Sequence, residues 1–217
     1  MIMYRLPILI LLMSILYIFI IPEEPLGIKL LFKLIPMAMI IFYAIRKLPG
    51  KKSLTHWLIL IGLFFSMIGD GTLHWFVVGL SAFLIGHLFY MTGFFAKWNF
   101  SVIRFLMIVP IAVYGFFMGS ELLNALKQEG NDTLIIPVLA YIIVISLMAW
   151  SAVMTGNKWV IMGSILFVIS DSILAWNMFV APVNFSGELI MSTYYGAQFL
   201  IAHSLGTIVK RSNRVVW

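Results

Sequence analysis

Two of the eight acidic residues of this sequence, Asp70 and Asp171, fall inside apolar stretches, in the strings SMIGDGTLHW and FVISDSILAW. An ionisable group held in hydrocarbon is costly and functional by default. Two such carboxyls in one site can divide into a neutral acid and an ionised base, the arrangement used for general acid–base catalysis. Glycosidases use that division to pass through an oxocarbenium ion, and an acid-labile acetal or enol ether would respond to the same device. Lys29 and Lys33 are four apart, hence on one helix face, and add positive charge. His87 and Tyr90, three apart, are neighbours on a helix, while Tyr194, Tyr195 and Gln198 form a second polar set.

Other chemistries find no support. There is no G-x-S-x-G string for a serine nucleophile and no H-E-x-x-H for a zinc hydrolase. A P-loop is missing, and the chain has no Cys, so thiolate chemistry is excluded. His56, His74, His87 and His203 fall at scattered depths, so no metal cluster is expected. The residues alone leave two classes open: a membrane-embedded acid–base hydrolase, or a proton-coupled carrier. An intramembrane aspartyl protease is a weaker third class, because its G-x-G-D motif would need Gly where Met67 stands.

The elements that must position these residues follow from composition. The 217 residues are 63% apolar and only 10% charged, with a mean hydropathy of +1.08. A soluble domain runs near half apolar and about a quarter charged. A spanning helix takes about 20 mainly apolar residues, and apolar runs predict eight of them. They lie near 4–21, 26–45, 54–73, 76–96, 101–118, 134–153, 159–178 and 187–209, with the longest connection from Gly119 to Thr133. The first resembles a signal sequence, but Pro22-Glu23-Glu24-Pro25 follows instead of a small-residue cleavage site, so it reads as a retained span. The expected fold is an all-α polytopic membrane protein of eight transmembrane helices, forming a single integral membrane domain over 1–217.

Threading eight spans gathers Arg5, Arg46, Lys47, Lys51, Lys52, Lys97, Arg104, Lys158, Lys210, Arg211 and Arg214 on one face. The other face collects Glu23, Glu24, Glu121, Glu129, Asp132 and Glu188, with Lys127. Basic loops stay cytoplasmic, so both termini are expected in the cytoplasm, and the protein itself in the cell membrane if the source is bacterial. The net charge of +6 is therefore a topology signal, and no nucleic-acid partner is expected.

The segment 62–75 realigns on 163–176 at one constant offset. Five of fourteen positions are identical: Gly62/Gly163, Ile68/Ile169, Asp70/Asp171, Leu73/Leu174 and Trp75/Trp176. The fourth and eighth spans align more weakly, with Ser81 on Ser192 and His87 opposite Gln198. This predicts a parallel 4+4 internal repeat with halves 1–118 and 119–217, related by an axis along the membrane normal. Such an axis would bring Asp70 and Asp171 toward one polar cavity opening to the outer leaflet. Lys33 lies about 10 Å deeper than an interface position, whereas Lys29 is near enough to the interface to snorkel.

The strings SMIGDGTLHW, FLIGHLFY, FVISDSILAWNMF and STYYGAQFLI resemble the signatures of the YhhN/TMEM86 family of integral membrane proteins. Lys33 with Pro36 and Met37 is similar to its second-helix signature, with Leu34-Ile35 interrupting the Lys-Pro pair. The resemblance implies a lysoplasmalogenase, an ether hydrolase that cleaves the vinyl ether bond of lysoplasmalogens. The products would be a fatty aldehyde and glycerophosphocholine or glycerophosphoethanolamine. It assigns catalysis to Asp70 and Asp171, and substrate binding to Lys33, His87, Tyr90, Tyr194, Tyr195 and Gln198; Lys29, by its charge beside Lys33, is expected to join in holding the lipid phosphate. The partner implied is a lysophospholipid within membrane lipid. No metal or organic cofactor is required by this chemistry.

Overall fold

Backbone groups in hydrocarbon must be satisfied within their own segment, which leaves helices as the natural element for such a chain. The computed structural model describes residues 2–209, and among these it contains helices and no strand. The long helices are α1 (Ile2–Phe19), α2 (Leu26–Lys47), α3 (Leu54–Thr72), α4 (Phe76–Phe95), α6 (Ile108–Gln128), α7 (Ile135–Thr155), α8 (Lys158–Phe179) and α9 (Ser186–Ser204), with a short α5 (Val102–Leu106) preceding α6. Six segments are long and apolar enough to cross a membrane: α2, α3, α4, Val102–Gln128, Asp132–Thr155 and α8. The apolar run of α1, Arg5–Phe19, is shorter. In α9 the polar Tyr194, Tyr195 and Gln198 are buried, so this helix turns its polar face inward.

The eight expected spans correspond to these eight long helices, with one correction. The fifth was expected to end at Gly119 and open into a loop, but α6 runs on to Gln128. Met118, Leu122 and Leu126 recur every four residues and are buried, the latter two against Val138, so the extension is an amphipathic helix despite Glu121 and Lys127. The same span breaks at Met107. Pro110 sits in the first turn of α6, where its missing N–H costs nothing. Lys210, Arg211 and Arg214, expected on the basic face, lie outside the described residues.

Local signals fix the other ends. Ser53 caps α3 together with His56, whose Nδ1 accepts the Ser53 N–H at 2.8 Å. Asn157 caps α8 by accepting from the N–H groups of Trp159 and Val160. Gly156, at φ +66°, supplies the left-handed turn that ends α7.

Six helices close a ring in the order α2, α3, α4, α7, α8, α9 and back to α2. Helix α1 flanks it on α2 and α9, and α6 flanks it on α7 and α8. The tightest seams use glycine. A Cβ at Gly62 would meet the Tyr90 ring at 2.5 Å and the Gly86 carbonyl at 3.1 Å, so α3 and α4 approach closely only because both positions lack a side chain. The α8–α9 seam matches it: a Cβ at Gly163 would meet Ile201 at 2.9 Å and the Ala197 carbonyl at 3.0 Å. The main core runs through the ring, with Met37, Ile40, Leu63, Tyr90, Phe167, Tyr194 and Ile201 buried within it.

Candidate functional site

Every helix of the ring carries a residue of one polar interior. Lys33 comes from α2, Ser66 and Asp70 from α3, His87 and Tyr90 from α4, Tyr141 from α7, Asp171 from α8, and Tyr194 and Gln198 from α9. Asp70, 3% exposed, sits near the end of α3, where the last carbonyls lack helical donors. Lys33 answers both needs there. Its Nζ lies 3.5 Å from Asp70 Oδ1 and donates to the Asp70 carbonyl at 3.3 Å. The Tyr194 hydroxyl donates to Asp70 Oδ2 at 2.6 Å.

Tyr195 is the next residue on α9, so its side chain leaves the helix about a quarter-turn away. Its hydroxyl donates to the Lys33 carbonyl at 2.8 Å, in the turn where Pro36 withholds an N–H. Lys29, one turn before Lys33, pairs instead with Glu23 at the exposed entry to α2. The two lysines share a face but not a partner.

Asp171 has other surroundings. The Tyr141 hydroxyl donates to its Oδ2 at 2.5 Å. It borders a cavity of about 80 Å³ lined largely by apolar side chains, among them Phe83, Met118, Val138, Ala175 and Met178. Tyr114 and Met178 on its rim are 43% and 42% exposed, so the cavity opens sideways between α6 and α8. Tyr114 closes part of that rim by donating to Ser172 Oγ at 2.8 Å. Asp70 is not among the lining residues. Phe83, which is, packs edge-to-face on Tyr194 with centroids 6.0 Å apart and covers the backbone at Gly69. An aromatic layer thus stands between the cavity and Asp70. The single polar cavity expected from the sequence is in fact an apolar cavity on the Asp171 side and a hydrogen-bonded cluster on the Asp70 side.

Between them lie His87, Tyr90 and Gln198, all buried. Tyr90 donates to Gln198 Oε1 at 2.7 Å, and His87 Nδ1 bonds the Phe83 carbonyl at 2.8 Å. The His87 ring packs on Phe167 and Tyr141, with centroids 4.5 and 5.3 Å away. Tyr141 and Ser66 are the site residues that sequence reasoning passed over. Tyr141 is one of two aromatics, with Trp150, in a strongly apolar helix, a pattern shared by packing residues. The signal available was its place on the helix before Asp171, matching that of Lys33 on the helix before Asp70.

A bundle of six long apolar segments around a buried polar interior defines an integral, multi-pass membrane protein. The chain belongs to the YhhN family, whose profile matches residues 28–205. It is 31% identical over 185 residues to the mouse (Mus musculus) protein named lysoplasmalogenase TMEM86B, covering 82% of this chain and 76% of that one. It is 35% identical over 167 residues to human lysoplasmalogenase TMEM86A, covering 67% and 64% respectively. No solved structure matches it.

Proposed function

We propose that the protein is a membrane-embedded ether hydrolase that cleaves the vinyl ether bond of alkenyl lysophospholipids. The products are a fatty aldehyde and a glycerophosphodiester such as glycerophosphocholine or glycerophosphoethanolamine. Two features support the reading: the names of the relatives, and two interior carboxyls on helices of one ring, each accepting from a tyrosine hydroxyl. The second carries the mechanism.

An enol ether hydrolyses when its β-carbon takes a proton, which leaves an oxocarbenium ion at the α-carbon. Asp171 is the acid. Among the described residues a neutral hydroxyl, that of Tyr141, is what donates to it, and its cavity accepts an apolar chain. Asp70 is the ionised partner, because Lys33 supplies the counter-charge that an ion in such a place needs. It stabilises the cation and takes a proton from the water that adds to the α-carbon. The hemiacetal then collapses to aldehyde and a glycerol hydroxyl. During that collapse Asp70 gives its proton to the leaving glycerol oxygen and Asp171 takes one from the hemiacetal hydroxyl, so one water is consumed and both carboxyls return to their starting states.

The lipid lies with its chain in the lateral cavity and its head group toward Lys33, with Lys29 at the entry attracting the phosphate. The reacting bond spans the level of Phe83, whose ring has to rotate for both carboxyls to reach it. Tyr194, Tyr195, His87, Tyr90 and Gln198 orient the glycerol and water. At about 80 Å³ the cavity is smaller than the 300–1,000 Å³ of typical ligand pockets, so the rest of the chain leaves through the open rim into lipid.

We read the bundle as two parallel halves of four long helices each, with both termini cytoplasmic, forming one membrane domain. The matched contacts of Gly62 and Gly163, and the matched packing of α2 on α9 and α4 on α7, support this. The test is incubation of purified protein with 1-alkenyl and 1-acyl lysolipids while released aldehyde is measured. Aldehyde from the alkenyl lipid is expected. Its absence, with pH-gradient-driven flux of intact solute in proteoliposomes, would replace the hydrolase with a carrier.

A further inference from the structure

Two buried polar atoms at the centre of the ring have no hydrogen-bond partner: His87 Nε2 and Gln198 Nε2. Polar atoms left unmatched in an apolar interior are costly, and natural proteins rarely leave them so without a ligand or water to bind. Their chemical sense is fixed by the bonds their other ends make. A carbonyl can only accept, so the Phe83 carbonyl takes a proton from His87 Nδ1. In the neutral ring that leaves Nε2 with a lone pair, an acceptor. Tyr90 donates to Gln198 Oε1, which orients the amide and leaves Nε2–H as a donor. One orphan accepts and the other donates.

Contacts across the ring bracket His87 and hold Gln198. Helices α4 and α9 face each other across the ring without backbone contact, and their side chains meet in parallel register. Phe83 meets Tyr194 on one side of His87, and Tyr90 meets Gln198 on the other. His87 is one turn from Phe83, and Gln198 is one turn from Tyr194. Phe167 is packed against His87, Tyr90 and Tyr194 alike, which ties the cluster together.

We propose that His87 and Gln198 form a hydroxyl-recognition site, in which a single O–H oxygen donates to His87 Nε2 and accepts from Gln198 Nε2–H. The inference rests on the hydrolase reading above. Two oxygens of that reaction have this chemistry: the free 2-hydroxyl of a lysolipid and the attacking water. In the first case the pair is what selects a lipid with an unsubstituted neighbouring position. A 2-substituted lipid has no O–H to give His87 Nε2 and brings a bulky group against Phe167.

The experiment compares a 1-alkenyl lysolipid carrying a free 2-hydroxyl with its 2-O-methyl ether, on wild-type protein and on two variants. His87→Phe keeps the ring packing, and Gln198→Met keeps the volume. If the site holds the substrate hydroxyl, wild type prefers the free hydroxyl by about tenfold or more. Each variant then loses more on that lipid than on the methyl ether, so the ratio of kcat/KM between the two lipids falls toward one. If the site holds water, both lipids lose kcat equally in the variants and the wild-type preference survives. Either pattern supports the site and names its occupant.

Variants that match wild type on both lipids overturn the proposal while leaving the hydrolase reading intact. Wild type that releases no aldehyde from either lipid removes both. Should one variant fail to fold, as judged by gel filtration, the other decides.

Discussion

Asp70 and Asp171 stand at matching places in matching strings, yet they keep different company. Asp70 is enclosed, faces a lysine, and takes its tyrosine from α9. Asp171 has no cation within ion-pairing distance among the described residues, takes its tyrosine from α7, and borders a cavity open to the bundle's outer surface. The partners explain how similar helices came to differ. The position opposite Asp70 on the preceding helix is Lys33, and the one opposite Asp171 is Tyr141. Across the ring, Tyr194 offers a hydroxyl where its counterpart on α4, Phe83, offers only a ring. Two copies of one carboxyl can thus be set to opposite tasks by three neighbouring residues.

If that division is right, Asp171→Asn should lower kcat/KM for aldehyde release by about 10³-fold, within the usual span for a general acid, with little change in thermal stability. Asp70→Asn should cost about 10²-fold in the same assay. It should also destabilise by roughly 3–5 kcal/mol, because Lys33 is left buried without its counter-ion. Adding Lys33→Met to Asp70→Asn should recover most of that stability and none of the activity, and a thermal-shift series reads both. A double variant with stability no better than Asp70→Asn would mean that the ion pair is not what fixes this side.

The cavity side gives smaller effects. Val138→Phe should fill the Asp171 cavity and shift preference toward shorter alkenyl chains, raising KM several-fold for long ones, as a chain-length series would read. Tyr141→Phe removes one hydrogen bond and should cost about 1 kcal/mol, roughly fivefold in rate or less. An equal loss in Tyr194→Phe would blur the contrast, since that hydroxyl serves a charged acceptor and should matter more.

Much of this was legible in the sequence, because a membrane penalises polar residues so heavily that each one carries information. The helices were readable from apolar runs, and Asp70, Asp171, Lys33, His87 and Gln198 stood out by depth. Lys29 near the interface was readable as a peripheral charge, which its pairing with Glu23 agrees with. What escaped depended on partners from other helices. The extension of α6 looked like a loop because Glu121 and Lys127 drew attention from Leu122 and Leu126. The one signal Tyr141 carried was its place on the helix before Asp171, and that gains meaning only once the two side chains are opposite each other. The aromatic layer at Phe83 could not be seen, since a Phe in such a chain is the ordinary packing residue.

Hydrolysis of an alkenyl lysolipid in water labelled with both deuterium and oxygen-18, with mass analysis of both products, tests the mechanism most directly. Proton delivery to the β-carbon and water attack at the α-carbon put one deuterium beside the aldehyde carbon and leave the glycerol oxygen unlabelled. Oxygen-18 in the glycerophosphodiester, or an aldehyde without deuterium at that carbon, would contradict the account.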